Sequence, residues 1–190
     1  MTDDTSQPKT TTRWVAFLRG LNVGSAHRVT NDELVSMLTD AGLAKAQPFL
    51  ASGNVVFDAE TGRTEAQLSE LVAETLESGL GYAVPAFIRS ATDVIALNDA
   101  NPFTKEELDS DGKPQVTLLA AEPGKQAWSA ALALESPEDL IRKGDRAWFW
   151  LPHDGVSLSK VDMKAIERAL GVGTMRTFNT VARITKKFLT

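Results

Sequence analysis

Polar and basic side chains gather around two glycine-bearing stretches near the start of the chain. The first stretch reads LRGLNVGSAHR over residues 18–28, and the second reads ASGNVVF over residues 51–57. A glycine loop ahead of a helix exposes backbone N–H groups that bind phosphate, sulfate or carboxylate. We therefore predict a ligand-binding site composed of Arg19, Gly20, Asn22, Gly24, Ser25, His27, Arg28, Ser52, Gly53 and Asn54.

The residue types in this predicted site suggest a division of roles. Arg19 and either His27 or Arg28 would supply positive charge to a small anionic or nucleotide-like ligand. The side chains that would orient the ligand are those of Asn22, Ser25 and Asn54. The loop matches neither the P-loop pattern nor the dinucleotide fingerprint. The alternative interpretation is that the glycines only permit turns and the helix start is capped internally.

A second cluster of candidate residues lies towards the C-terminus and comprises Ser159, Lys160, Arg176 and Asn179. Ser159-Lys160 suggests an anion contact or a Ser-Lys pair. The alternative is an N-cap serine followed by an exposed lysine, because a helix is predicted to begin near Lys160. Arg176 and Asn179 are predicted on the last strand, where they either fasten the C-terminal segment or contact a ligand. No catalytic residue is assigned, and whether the protein is an enzyme stays open.

Residue counts exclude several classes of chemistry. The chain contains no cysteine, which rules out disulfides, thiolate ligands and cysteine nucleophiles. The two histidines, His27 and His153, are far apart in sequence and lack clustered carboxylates, so no metal site is predicted. Ser25, Ser52 and Ser159 lack an identifiable His/Asp relay for a hydrolase triad. No cofactor is predicted.

The overall charge and hydrophobicity are those of an ordinary globular protein. A net charge of −5 disfavours a nucleic-acid partner, whose footprint is normally a basic face. No apolar run approaches the roughly 20 residues that span a bilayer. The first residues, MTDDTSQPKTTT, lack an apolar signal segment and are predicted to form a disordered tail. We expect a cytoplasmic protein without a membrane partner; its oligomeric state cannot be predicted.

The elements that position the first cluster follow from hydrophobic patterning. Residues 13–19 predict a buried strand, and Thr30 and Glu33 form a capping box that begins a helix. Two apolar segments around residues 52–54 predict a hairpin, and residues 64–78 predict a second helix. Residues 84–88 predict a further strand. The order in this half is therefore β-α-β-β-α-β.

The second half is predicted to repeat this order. Residues 115–120 predict a strand, residues 127–134 a helix, and EDLIRKGDRAWFWLP a hairpin. A helix from about Lys160 to Leu170 and a strand near residues 174–178 complete the unit. The predicted fold is α+β, with two tandem ferredoxin-like subdomains and antiparallel sheets. The predicted organisation is a tail (1–12), a first subdomain (13–98), a linker (99–114) and a second subdomain with a C-terminal extension (115–190).

This topology brings the first cluster together. With sheet order 4-1-3-2, the loop after strand 1, the turn between strands 2 and 3, and the start of strand 4 lie at one end of the sheet. In the second subdomain the segments near residues 155–160 and 179 lie at the opposite end of its sheet. Whether the two clusters form one site or two stays open.

Several motifs in a fixed order give the chain a family resemblance. They are LRGLNVG, SGNVVF, Asn101-Pro102-Phe103, the strand Trp148–Pro152 with Gly155, Ser159-Lys160, and Arg176-Thr177-Phe178-Asn179-Thr180. Their order resembles domain-of-unknown-function family 1697, with departures at Thr177 and Phe178, where Asn and Trp are usual. The resemblance implies a bacterial source and a two-part α+β fold. It implies no established activity.

These observations support three hypotheses from different functional classes. The first is a protein that binds a small anionic or nucleotide-like ligand at the 20–28 loop and the 52–54 turn. The second is a nucleic-acid-binding module, against which the acidic charge and the missing aromatic motif of RNA-binding sheets count. The third is a protein-interaction module in which the motifs are purely structural.

Overall fold

The computed structural model describes residues 10–22 and 28–190. Of the predicted site, Gly24, Ser25 and His27 lie outside the described residues, as does most of the predicted N-terminal tail. The described residues form eight strands and seven α-helices, followed by a π-helical turn at Thr185–Leu189. The chain divides into two compact units, Met1–Ala91 and Thr92–Thr190.

The first unit contains one four-stranded antiparallel sheet with the strand order β2-β3-β1-β4. This confirms the predicted 4-1-3-2 order. The elements are β1 (Thr11–Leu18), α1 (Asn31–Asp40), β2 (Ala44–Phe49), β3 (Asn54–Glu60), α2 (Glu65–Leu80) and β4 (Ala86–Ser90).

Local sequence signals explain both helices of the first unit. The hydroxyl of Thr30 accepts a hydrogen bond from the Glu33 backbone N–H, and the Glu33 carboxylate accepts one from the Thr30 backbone N–H. Thr64 and Gln67 form the same capping box at the start of α2. Both helices direct an apolar stripe at one face of the sheet. This stripe and the sheet form a core that includes Leu34, Leu38, Phe57, Leu68, Val72, Leu76 and Ile88.

The second unit repeats the arrangement with the strand order β6-β7-β5-β8. The predicted α+β fold with two tandem ferredoxin-like sheets is therefore confirmed. Its elements are α3 (Ala91–Asp99), which begins at the last residue of the first unit, α4 (Lys105–Leu108), β5 (Gln115–Leu119), α5 (Lys125–Leu132), β6 (Asp139–Gly144), β7 (Ala147–Pro152), α6 (Met163–Leu170), β8 (Gly173–Thr177) and α7 (Phe178–Ile184).

Successive side chains of β7 point to opposite faces of the second sheet, so its aromatic residues lie on both faces. Trp148 and Trp150 join the core beneath α5 and α6, together with Trp128, Ile141 and Ile166. Phe149 points the other way, and its ring lies 6.1 Å from that of Phe178, the first residue of α7. Helices therefore cover the tryptophan face, and α7 begins on the Phe149 face.

Two of the boundaries that differ from the sequence prediction concern the predicted second cluster. Helix α6 begins at Met163 rather than near Lys160, because Asp162 is the N-cap and its carboxylate accepts a hydrogen bond from the Ala165 N–H at 2.9 Å. Strand β8 ends at Thr177, whose hydroxyl accepts from the Thr180 N–H and starts α7. Asn179 therefore lies on a helix and not on the last strand.

Within residues 10–22 and 28–190, no helix combines the length and apolar character needed to cross a membrane.

Candidate functional site

The structure brings the predicted loop and turn of the first unit to the same end of the sheet. The Leu18 N–H donates a 2.7 Å hydrogen bond to the Gly53 carbonyl, and the Arg19 N–H donates to the Pro85 carbonyl at 2.9 Å. The Tyr82 hydroxyl, ahead of β4, donates to the Leu21 carbonyl at 2.7 Å. The end of β1, the β2–β3 turn and the start of β4 therefore meet as the topology predicts.

Asn22 uses its side-chain amide to close this end of the sheet. Its Nδ2 donates to the Ala51 carbonyl at 3.2 Å and to the Val29 carbonyl at 3.4 Å. Its Oδ1 accepts from the Val29 N–H at 2.9 Å. Asn22 thus joins both ends of the loop to the turn, and its polar atoms are engaged within the protein.

Asn54 is engaged in the same way. Its side chain has 0% exposure, and its Nδ2 donates to the Phe49 carbonyl and to the Ser52 hydroxyl, both at 2.9 Å. The turn also needs glycine at one position, because Gly53 has a φ of +73° and an added Cβ would lie 3.0 Å from Leu18 Cβ. The side-chain amide of Asn54 therefore stabilises the β2–β3 turn.

The start of α1 is less attractive to an anion than an uncapped helix start. Its capping box satisfies N–H groups that would otherwise face a ligand. Asp32 and Glu33 add two negative charges in the first turn, and hydrogen bonds from Thr30 hold the pKa of Glu33 below its usual value. Arg28 is exposed and Arg19 is half-buried. The anion-site hypothesis stays a prediction. The side-chain amides of Asn22 and Asn54 and the start of α1 already form hydrogen bonds within the protein, so they are not free donors for an anion.

The second predicted cluster is divided between the two faces of its sheet. Strand register aligns Arg176 with Val116, and Val116 with Phe149, so Arg176 lies on the Phe149 face. Its Nη1 donates to the Thr174 hydroxyl and the Met175 carbonyl, both at 2.8 Å. Burial lowers the pKa of Arg176 to about 10.

Ser159 and Lys160 instead line a cavity of about 400 Å³ in the second unit, which we call the Asp139 cavity. Three segments form it: the approach to β6, the exit of β7 and the segment before α6. Its lining is Ser136, Glu138 and Asp139 from the first, Pro152, Asp154 and Gly155 from the second, and Leu158, Ser159 and Lys160 from the third. Asn179 is exposed on α7 and is not among these residues.

Asp139 is the buried polar group of this cavity, with 4% exposure. Its Oδ1 accepts two hydrogen bonds, from the Trp150 indole N–H at 2.8 Å and from the Ser159 hydroxyl at 2.7 Å. Within residues 10–22 and 28–190, its Oδ2 accepts none. Oδ2 of this nearly buried residue is therefore a place where a molecule in the cavity could supply a hydrogen-bond donor.

Backbone contacts fix the position of Asp139. Its N–H donates to the Ser136 hydroxyl at 3.1 Å, and its carbonyl accepts from the Ser136 N–H at the same distance. Asp139 pairs with Pro152 across the sheet. Trp150 lies two residues before Pro152 on β7, so it is the diagonal neighbour of Asp139 and its indole is within reach. The His153 N–H donates to the Glu138 carbonyl at 2.8 Å and ties the exit of β7 to the start of β6.

Ser159 has both of its hydrogen-bonding functions engaged. Its hydroxyl donates to Asp139, and its oxygen accepts from the Val161 N–H at 3.1 Å. Ser159 therefore acts as a brace between the segment before α6 and the carboxylate, rather than as the predicted N-cap. Lys160 is exposed at the rim of the cavity.

Sequence reasoning found two lining residues of this cavity but missed its central carboxylate. An acidic residue in SPEDL at the start of a strand resembles an ordinary solvent-facing residue. The available signal was the hairpin register, which places the residue beside an aromatic strand whose indole N–H needs an acceptor when buried. In the described part of the chain, no group of three or more histidine or acidic side chains converges to hold a metal ion.

Comparisons with known proteins agree with the fold. The structure of the conserved bacterial protein SP0830 from Streptococcus pneumoniae is similar, with a TM-score of 0.71 and 22% sequence identity. The alignment covers 93% of this chain and 98% of that chain. At this identity the similarity supports the fold alone. No curated protein matches the chain.

The sequence itself matches a family model over residues 11–149, which is more than half of the chain. The model describes proteins of unknown function, and its match agrees with the motif order that suggested the same family. The chain belongs to the DUF1697 family of proteins of unknown function.

Proposed function

We propose that this protein binds a small organic molecule reversibly in the Asp139 cavity. The observation that carries the proposal is the asymmetry of the Asp139 carboxylate. Two protein donors converge on Oδ1, and no donor from the described residues reaches Oδ2, although the side chain is 4% exposed. A ligand donor at Oδ2 would add a charge-assisted hydrogen bond that no described residue makes.

The dimensions and lining of the cavity support the same proposal. A volume of about 400 Å³ suits a small ligand. The lining combines apolar surface from Pro152 and Leu158 with six polar or charged side chains, of which Asp139 and Ser159 are held by hydrogen bonds within the protein. Trp150 and Ser159 hold the carboxylate in place before a ligand arrives, and a fixed partner loses little conformational entropy on binding.

The geometry favours binding over nucleophilic catalysis at Ser159. A serine nucleophile needs a neighbouring base that takes its proton. The Ser159 proton points to Asp139, whose Oδ1 also accepts from Trp150. Neither histidine nor lysine bonds to Ser159 within the described residues. The proposal is therefore a binding protein.

A thermal-shift screen with two proteins tests the proposal. The screen spans amines, carboxylates, phosphates and neutral polar compounds, and compares the natural protein with Asp139→Asn. Binding at a hundred times Kd stabilises by about 2.7 kcal/mol, which raises the melting temperature by several degrees. We expect compounds that stabilise the natural protein and lose that effect in Asp139→Asn. Absence of any stabilising compound, or equal stabilisation of the variant, would overturn the proposal.

The anion site at the loop and turn is a second candidate function. The bonds from Leu18 to Gly53 and from Asn22 to Ala51 support it, because they place the two glycine stretches side by side. Arg28 is the exposed charge that a small anion would meet there. A titration with inorganic sulfate, followed by backbone amide shifts in the natural protein and in Arg28→Ala, tests this candidate. Shifts at Arg19 and Gly53 that vanish in the variant support it, and their absence in the natural protein contradicts it.

A further inference from the structure

We infer that the ligand of the Asp139 cavity is an organic ammonium ion that carries an apolar substituent. This inference rests on the proposed function and adds the chemical class of the ligand. Three features of the cavity carry it: the direction of the hydrogen bonds that remain to be made, the balance of charge in the lining, and the apolar surface beside the carboxylate.

The remaining hydrogen bond requires a donor on the ligand. The indole N–H of Trp150 can only donate, so the atom it meets on Asp139 is an acceptor. Ser159 donates to the same Oδ1, which leaves Oδ2 to accept from outside the protein. A ligand carboxylate or phosphate offers more acceptors and would leave Oδ2 without a donor. An N–H or O–H group on the ligand satisfies it.

The balance of charge selects a cation among donors. The lining contains three carboxylates, Glu138, Asp139 and Asp154, and one ammonium group, Lys160, for a net charge of −2. A negative cavity attracts cations and repels anions. An N–H donor that carries a positive charge makes a bond to a carboxylate roughly twice as strong as a neutral donor does.

The arrangement of the carboxylates and the apolar wall separates an organic cation from a metal ion. No three acidic or histidine side chains converge on one point within the described residues, as a divalent metal would require. Pro152 and Leu158 add apolar surface to the lining, and Leu158 is 69% exposed. Covering this surface favours a ligand with an apolar group beside its ammonium.

Three probes of the same shape test the charge preference by calorimetry near neutral pH. They are benzylamine, which is protonated under these conditions, benzyl alcohol and benzoate. We expect benzylamine to bind at least about tenfold more tightly than benzyl alcohol, and benzoate to give no binding heat. Added salt should weaken benzylamine binding and leave that of benzyl alcohol unchanged. These comparisons use the natural protein, so they do not depend on a variant.

Asp139→Asn is the sharpest variant because it preserves the internal contacts. Its amide oxygen can take the place of Oδ1 and keep both bonds, from Trp150 and Ser159, while its NH₂ replaces Oδ2. We expect benzylamine affinity to fall at least about tenfold, because an acceptor becomes a donor and a charge is lost. Asp154→Asn is the matched control: it removes an exposed rim carboxylate and should change the affinity by less than about threefold.

Three results would overturn the inference. They are benzoate or benzyl alcohol binding as tightly as benzylamine, an unchanged benzylamine affinity in Asp139→Asn, and no benzylamine binding up to about 10 mM. If compounds of another class bind in the thermal-shift screen and depend on Asp139, the binding function stands and only the ammonium class is wrong. If no compound of any class binds, the function itself fails.

Discussion

The indole N–H of Trp150 donates a 2.8 Å hydrogen bond to Oδ1 of Asp139 on the neighbouring strand. Trp150 is 2% exposed and Asp139 is 4% exposed, so this bond joins the core of the second unit to the wall of its cavity. The Ser159 hydroxyl donates to the same oxygen, so the two bonds restrict rotation of the carboxylate, and Oδ2 can accept from another donor. In the proposed site, this internal hydrogen bond would hold the carboxylate in place for a ligand.

Ser159→Ala tests the brace on this carboxylate. The variant loses the bonds to Asp139 and from Val161, so we expect the free energy of unfolding to fall by about 1 kcal/mol in urea titrations. Ser157→Ala is the matched control: Ser157 is exposed in the same segment, and its loss should change stability by less than about 0.5 kcal/mol. Equal effects of the two substitutions would contradict the role given to Ser159.

Gly53→Ala tests the close approach beneath the β2–β3 turn. A Cβ on Gly53 would lie 3.0 Å from Leu18 Cβ and 3.3 Å from Leu21 Cβ, at a φ of +73°. Gly20 has nearly the same φ, +76°, but its added Cβ meets no described atom within 4 Å. Both variants carry the cost of a positive φ, and we expect Gly53→Ala to lose about 1 kcal/mol more than Gly20→Ala. Chemical denaturation measures this difference, and equal losses would show that packing does not matter here.

Asn54→Ala tests whether the buried amide is structural. The substitution leaves the Phe49 carbonyl without this donor and opens a small cavity at a fully buried position. We expect the free energy of unfolding to fall by about 2–3 kcal/mol. Ser52→Ala removes the hydroxyl that accepts from Asn54 and should cost about 1 kcal/mol or less. A loss below about 0.5 kcal/mol for Asn54→Ala would instead favour its predicted ligand role.

The sheet order and the two helix starts of the first unit followed from sequence because their signals are local. Capping boxes at Thr30 and Thr64 and a hairpin turn around Gly53 each specify an element from a few neighbouring residues. The placement of Asn179 on the last strand was wrong, because the residues up to Phe178 resemble a strand that continues. The hydroxyl of Thr177 caps a helix there instead.

The candidate site was harder to predict, because burial depends on pairing between distant residues. Asn22 and Asn54 have the polarity of ligand contacts. The fold, however, places backbone groups beside both side chains, and these groups form hydrogen bonds with the two amides. Asp139 is the reverse case. Its sequence context is that of a surface residue, but its pairing with Pro152 across the sheet buries it beside Trp150. Residue type alone does not distinguish the two cases.

Asp58 provides a prediction for pH dependence in the first unit. A hydrogen bond from Arg13 at 2.8 Å, with a smaller contribution from Lys45 at 3.0 Å, holds the pKa of Asp58 below its ordinary value of 3.8. A carboxyl whose pKa is lowered by folding stabilises the protein above its unfolded pKa, and that stabilisation is lost as pH falls through the folded pKa.

We therefore expect Asp58→Asn to be less stable than the natural protein at neutral pH, with a difference that shrinks as pH falls below 3.8. Urea titrations of both proteins across this pH range measure the stability difference and its change with pH. Asp93→Asn is the matched control: Asp93 is also a carboxylate near an arginine, but the Arg146 Nη2–Asp93 Oδ2 distance is 3.8 Å and its side chain is 45% exposed. A stability difference for Asp58→Asn that does not change with pH would contradict the ion-pair explanation.

The most direct test of the binding site is the Trp150 indole N–H resonance, one of 4 tryptophan indole signals. This proton lies in the hydrogen bond to Asp139, so a molecule that reaches Oδ2 must change its chemical shift. We predict that benzylamine moves the Trp150 signal and the backbone amides of Gly155 and Ser159, and leaves the Trp14 signal in the first unit unchanged. If no compound in a chemically mixed set moves the Trp150 signal, or if shifts map to Asn22 and Gly53 instead, the Asp139 cavity is not the binding site.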